Sequence, residues 1–137
     1  MRFVDTNVLL YAVSTAKEEK AKSEIARSLL DESELALSVQ VLQEFYVQAT
    51  RAGKRDRLDH EQASLLIESW LRFRVKEIDI PLMQAALRTA DRYRISYWDA
   101  AIIEAARVLE CSSVLSEDLN DGQDYGGVVV ADPFAGS

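Results

Sequence analysis

A chain of 137 residues, 48% hydrophobic and 28% charged, has the ordinary mix of a globular protein, and one domain of that length buries about 68–70% of the surface its unfolded chain exposes. No apolar run approaches the ~20 residues of a membrane helix, no basic segment followed by an apolar core and a small-residue cleavage site opens the chain, and the lone Cys111 excludes an internal disulfide, so a cytoplasmic protein without membrane contact is expected. The formal net charge of −7 argues against a protein that coats nucleic acid, which uses a basic surface, but not against an enzyme whose acids are gathered around cations.

Phe3 and Val4 read as a short buried strand, and Val8 to Tyr11 as the helix after it, with Asp5-Thr6-Asn7 between them. An apolar strand running into an acid places Asp5 at the carboxyl end of a strand, where open α/β sheets put their ligands. Ser14–Asp31 follows as an amphipathic helix, with Ala21, Ile25, Ser28 and Leu29 spaced for one face. Leu35–Ser38 suits a second strand, and Ser38 then stands where a helix N-cap belongs, opening Val39–Thr50. Arg51, Lys54, Arg55 and Arg57 make a basic loop around Gly53.

Asp59-x-x-Gln62 resembles a capping box for a helix through about Phe73. Val75–Asp79 reads as a strand, and Pro81 suits the first turn of a helix over Leu82–Tyr93. A further helix spans Tyr97 to about Leu109, followed by a strand at Cys111–Leu115, a polar loop over Ser116–Gly127 and a last strand at Val128–Val130. Short apolar strands alternating with amphipathic helices define a single α/β domain with a central, mainly parallel sheet flanked by helices, spanning residues 1–137.

Of the 23 acids, a few are not explained by the fold. Asp99 lies within about 60° of Ile102, Ile103 and Ala106 on the helical wheel, and a buried unpaired carboxylate is costly without a partner or metal. The same residue is equally well read as the third position of a Ser96-x-x-Asp99 capping box. Glu44 shares a polar stripe with Gln40, Gln48 and Arg51, opposite Val41, Leu42, Phe45, Tyr46 and Ala49; that stripe is either solvated or faces a cleft. Asp118 and Asp121 follow a strand in a run of turn-forming residues, and Asp5 taken alone is accounted for as a helix cap.

The arrangement says more than any single acid. Asp5 and Asp118 both follow apolar strands, and in a parallel sheet those ends lie on one edge. Two carboxylates ~5 Å apart repel by roughly 3 kcal/mol at an effective dielectric of ~20, so a cluster of them calls for protons or a cation, and oxygen-only ligands favour Mg²⁺ or Mn²⁺ over zinc. The sequence carries no Gly-rich dinucleotide fingerprint, no phosphate-loop Lys motif and no Gly-x-Ser-x-Gly elbow. His60 is the only histidine, which excludes a histidine-pair ribonuclease and a His/Cys zinc site. Metal-assisted chemistry at phosphate remains.

With these residues assembled, the chain resembles PIN-domain proteins, specifically small VapC-type toxins. The likeness is carried by Val4-Asp-Thr-Asn-Val-Leu9, Gln43-Glu-Phe45, Tyr97-Trp-Asp-Ala-Ala101, Leu115-Ser-Glu-Asp118 and Tyr125-Gly-Gly-Val-Val-Val-Ala-Asp-Pro-Phe134. The resemblance implies a metal-dependent endoribonuclease with its acidic site at Asp5, Glu44, Asp99 and Asp118. Thr6, Asn7 and Ser116 would be its polar supports, and Asp121 an outer carboxylate. It also implies a VapB-type antitoxin that occludes the cleft, and a toxin homodimer, with the face at Leu66, Ile67, Trp70 and Phe73 either a contact surface or part of the core. Two rivals stay open here: a nuclease acting on DNA or structured nucleic acid, and a Mg²⁺-binding phospho-receiver domain, against which stand a solitary Asp5 and the absence of Lys from Val128–Phe134.

Overall fold

The computed structural model describes residues 1–136. Its strands are β1 (Arg2–Val4), β2 (Leu35–Ser38), β3 (Arg74–Lys76), β4 (Ser113–Leu115) and β5 (Val129–Ala131). Its helices are α1 (Thr6–Val13), α2 (Lys20–Leu30, preceded by a 3-10 turn at Lys17–Glu19), α3 (Val39–Ala49), α4 (His60–Trp70), α5 (Ile80–Tyr93) and α6 (Tyr97–Val108). The strands form one sheet in the order β3-β2-β1-β4-β5, with every pair parallel. The chain therefore winds outward from β1 to β3, then returns to the other side of β1 for β4 and β5. That reversal puts a topological switch point between β1 and β4, where open sheets leave a crevice beyond the strand ends.

Local chemistry sets the helix starts. The Ser38 hydroxyl accepts from the Val41 N–H (3.3 Å), Asp79 from Leu82 (2.9 Å) and Ser96 from Asp99 (3.1 Å). Asp59 and Gln62 form the full reciprocal capping box (2.7 and 2.9 Å), and Pro81 stands in the first turn of α5, where its missing N–H costs nothing. The core is built on Phe3, Val4, Leu35, Leu37, Val114 and Val130 from the sheet, and on Val8, Leu9, Val41, Phe45 and Ile103 from the helices. Among the described residues no helix is long and apolar enough to cross a membrane.

Several expected boundaries and faces move. Ser14 ends α1 instead of starting the next helix, which begins only at Lys20. The inward face of α2 is Ser23, Ala26 and Leu30; Ala21 and Ser28 are exposed, and Ile25 and Leu29 only half-buried. Small Ser23 and Ala26 let the backbones of α1 and α2 approach, and Arg27 Nε then reaches the Ala12 carbonyl (2.9 Å); a wheel of hydrophobicity alone selects the larger side chains. Helix α4 stops at Trp70, and β3 is shortened because Asp79 caps α5. Strand β4 begins at Ser113, and β5 lies one residue later than expected. Trp70 and Phe73 are buried, Trp70 edge-on to Phe45 (centroids 4.8 Å), and Leu66 and Ile67 pack against the same core. That face belongs mainly to the protein's own interior.

Candidate active site at the carboxyl edge of the sheet

The register Val4↔Leu115 between β1 and β4 makes Asp5 and Ser116 neighbours on leaving the sheet. The Asp5 N–H still pairs with the Leu115 carbonyl (3.0 Å), and the Ser116 N–H with that of Ala131 (3.1 Å). Two fixed donors hold the Asp5 carboxylate: the Thr6 N–H on Oδ1 (2.7 Å) and the Ser116 hydroxyl on Oδ2 (2.7 Å). The Asn7 amide lies between acids, its Nδ2 at 3.4 Å from Asp5 Oδ2, 3.3 Å from Asp118 Oδ2 and 3.1 Å from Ser116 Oγ. Its Oδ1 accepts the Glu117 N–H (3.2 Å), and Ser116 Oγ accepts that of Asp118 (3.1 Å). Thr6, Asn7 and Ser116 thus tie the end of β1 to the end of β4.

Glu44 comes from α3. Its Oε2 accepts the Thr6 hydroxyl (3.0 Å) and its Oε1 the Gln40 amide (2.8 Å), which also reaches the Trp98 carbonyl (3.2 Å). The polar stripe of α3 therefore faces a cleft. Asp99 lies in the first turn of α6. It is half-buried, not sealed in the core: the apolar side of α6 runs into the interior at Ile103 but opens into the cleft one turn earlier. Asp5, Glu44, Asp99 and Asp118 all line one cleft of about 280 Å³, with Tyr11, Gln40, Gln48, Lys54, Trp98 and Glu117 around it.

Charge accumulates there. Asp5 is only 8% exposed, and burial pushes its carboxyl from an ordinary 3.8 up to about 6; the Ser116 and Thr6 hydrogen bonds oppose that rise, and the charges of Glu44 and Asp118 add to it. Asp99 is raised too, first by desolvation and then by Asp118 and Glu44, against a hydrogen bond to Ser96. The nearby cations pair with other acids: Lys54 with Asp56 (3.2 Å), and Lys22 with Glu117 at the margin of the cleft. Among the described residues no ion pair involves any of the four cleft acids. Nor are three His, Cys, Asp or Glu side chains drawn together tightly enough to hold a metal as they stand. Neutral donors lie between the carboxylates: the Thr6 hydroxyl on Glu44, and the Asn7 amide between Asp5 and Asp118. The donor set itself is hard oxygen, acidic and without a counter-cation, which suits Mg²⁺ or Mn²⁺.

Asp121 is not brought into this cluster. It is exposed, and its Oδ1 accepts the Asp132 N–H (2.9 Å), fastening the C-terminal segment to the β4–β5 loop. Glu117 was overlooked by sequence reasoning. Burial works to raise its carboxyl, but Lys22 and the Tyr11 hydroxyl (2.5 Å) outweigh that and hold it below the usual range. Its place beside Asp118 after a strand was the available signal.

A family model described as the PIN domain matches residues 2–120, and the chain belongs to the PIN-domain family. Similar solved structures include a toxin–antitoxin complex from Klebsiella pneumoniae (18% identity, TM-score 0.72, 98% of each chain covered). Mycobacterium tuberculosis VapC20, described as a sarcin–ricin-loop-cleaving toxin, matches at 19% identity and TM-score 0.66, over 86% of this chain and 92% of that one. FitAcB from Neisseria gonorrhoeae matches at 19% and 0.66, over 98% and 99%. At these identities the likeness is one of fold. No curated protein matches.

Proposed function

We propose that the chain is a divalent-metal-dependent endoribonuclease and the toxin of a toxin–antitoxin pair. The observation that carries this reading is the convergence of four carboxylates, from four separate elements, on one cleft, with none of the four in an ion pair among the described residues. Asp5, Asp99 and Asp118 would hold Mg²⁺ or Mn²⁺, with Glu44 as a further ligand or as the base that orients water. A bound ion would supply charge neutralisation at the phosphoryl oxygens and a more acidic water. The chain's own residues prepare that chemistry: Thr6 and Ser116 fix Asp5, Gln40 and Thr6 fix Glu44, and Asn7 holds the Asp118 loop against α1.

RNA is the proposed substrate. A VapB-type antitoxin and a second copy of the chain are the proposed partners; the toxin–antitoxin complex from Klebsiella pneumoniae, which shares the fold, supports the former. The core takes up most of the α4 face, so the exposed side chains of α5, Ile80, Met83 and Leu87, are the better candidates for protein contacts. Purified protein freed of any co-purifying polypeptide is expected to cut RNA with Mg²⁺ or Mn²⁺ and to stop in EDTA. Wild-type rates from Asp5→Asn would refute the assignment, and equal cleavage of a DNA version of the oligonucleotide would move the substrate class.

A further inference from the structure

Trp98 is 64% exposed, the largest side chain the protein leaves in solvent, and it stands one residue before Asp99. It forms one wall of an open hollow of about 510 Å³, lined otherwise by Gln40, Gln43, Glu44, Val47 and Gln48. Gln40, Glu44, Gln48 and Trp98 also line the acid cleft, so the two spaces adjoin. The position of Trp98 is not free: its ring meets Tyr97 edge-on (centroids 5.0 Å), and its carbonyl accepts from the Gln40 amide that also holds Glu44. No Lys or Arg lines the hollow, which therefore does not suit a phosphate. A flat aromatic wall in a mainly apolar hollow, with the amides of Gln40, Gln43 and Gln48 and the Glu44 carboxylate at its margin, suits the face of an unpaired base, and stacking of that kind tolerates any base.

We propose that Trp98 is a substrate-binding residue on which a nucleobase next to the scissile phosphate stacks, with Gln43 and Gln48 addressing the base edge. This rests on the ribonuclease reading above. A strand whose phosphate lies over Asp5 and Asp118 has its neighbouring base directed toward the adjoining hollow, and the base removes from water an indole that the chain leaves mostly exposed. Because the Gln40 amide links the Trp98 backbone to Glu44, seating the base and setting that carboxylate are mechanically joined.

Trp98→Ala is expected to raise KM for single-stranded RNA roughly 5- to 150-fold, the range found for removing a stacking aromatic, while Trp98→Phe restores most of the loss. Binding gives a second readout. The chain has two tryptophans, and Trp70 is buried, so an uncleaved single-stranded oligonucleotide in Ca²⁺ should quench the Trp98 emission, defined as wild type minus Trp98→Phe. An oligonucleotide with abasic sites but intact phosphates should not. If wild type cuts RNA but Trp98→Ala leaves KM unchanged and no quenching occurs, the stacking role is overturned and the nuclease reading survives. If wild type cuts no RNA in Mg²⁺ or Mn²⁺, both fall. If Trp98→Ala converts a sedimenting dimer to monomer and its KM recovers at high protein concentration, the hollow is an interface with a second copy and the inference is wrong.

Discussion

Replacing Asp5 by Asn should stabilise the metal-free protein at neutral pH and, on the proposed function, abolish cleavage of RNA. The wild-type carboxyl is raised from 3.8 to about 6, so the folded state holds its proton more tightly than the unfolded chain does. The associated stability is fully present below about pH 3.8 and is lost as pH rises through 6. That gap corresponds to about 3 kcal/mol, of which roughly 2 kcal/mol disappear between pH 4.5 and 7.5. Asn does not titrate and keeps an acceptor for the Thr6 N–H, so whatever its hydrogen bonds cost is constant across that window. The Tm difference, variant minus wild type, should therefore rise by roughly 6 °C between pH 4.5 and 7.5, at about 3 °C per kcal/mol for a chain of this size. Differential scanning calorimetry in EDTA at a series of pH values measures it. A difference that stays flat within about 1 °C, or falls, would show that Asp5 is not a desolvated charge and would remove the electrostatic case for a metal.

Mg²⁺ should raise the wild-type Tm, by an amount equivalent to about 2.7 kcal/mol at a hundredfold excess over Kd; a thermal-shift titration in which Asp5→Asn responds equally would contradict ligation there. Arg107→Ala should cost at least about 2 kcal/mol in urea denaturation, near or below the low end of the range for breaking a buried pair because the arginine is partly exposed. It leaves the buried Glu104 with only Thr89 and frees the carbonyls of Tyr125 and Gly126; a loss under ~0.5 kcal/mol would count against this. Ser38→Ala should cost about 1 kcal/mol in urea denaturation by removing the α3 cap; no loss would mean the cap is not needed to start α3. Thr6→Val removes one of the two hydrogen bonds that fix Glu44 and, on the proposed function, should slow cleavage while moving stability by no more than about 1.5 kcal/mol; an unchanged rate would show that the Thr6 hydroxyl does not position Glu44 for the chemistry.

Much of the architecture could be read from residues with strong local chemistry. Ser38, the Asp59–Gln62 pair and Pro81 each mark a helix start, because caps and prolines act within one turn and need no tertiary partner. The alternation of strands and helices gave the parallel sheet for another reason: helices between strands carry the chain back to the same end of the sheet. What escaped depended on packing. The inward face of α2 is set by how closely Ser23 and Ala26 let it approach α1, not by which residues are most apolar. Strands of three residues have boundaries fixed by neighbouring ladders, so β3 and β5 shifted. Asp121 and Asp118 look alike in sequence, and only the path of the C-terminal segment sends one to a backbone N–H and the other to the cleft.

Asp5, not Asp99, is the more deeply buried of the two acids. A helical wheel treats α6 as if its whole apolar side met the core, which makes Asp99 the hard acid to explain. The first turn of α6 borders the crevice, where Trp98 and Asp99 line it, and Asp99 keeps access to water. Asp5 sits one residue beyond the β1 ladder, held by two short hydrogen bonds, and cannot swing out as a rim carboxylate can. It is the acid the fold commits to the cleft whatever its charge state, while Glu44, Asp99 and Asp118 remain more open to water. A cation drawn to Asp5 would relieve all four at once, so on the proposed function ion binding should tighten the first turns of α1 and α6 together. Hydrogen exchange at Val8 and Ala100, whose N–H groups close those turns on Asp5 and Ser96, should slow in Mg²⁺ in the wild type but not in Asp5→Asn; slowing at one turn alone would mean that the two are not joined through the ion.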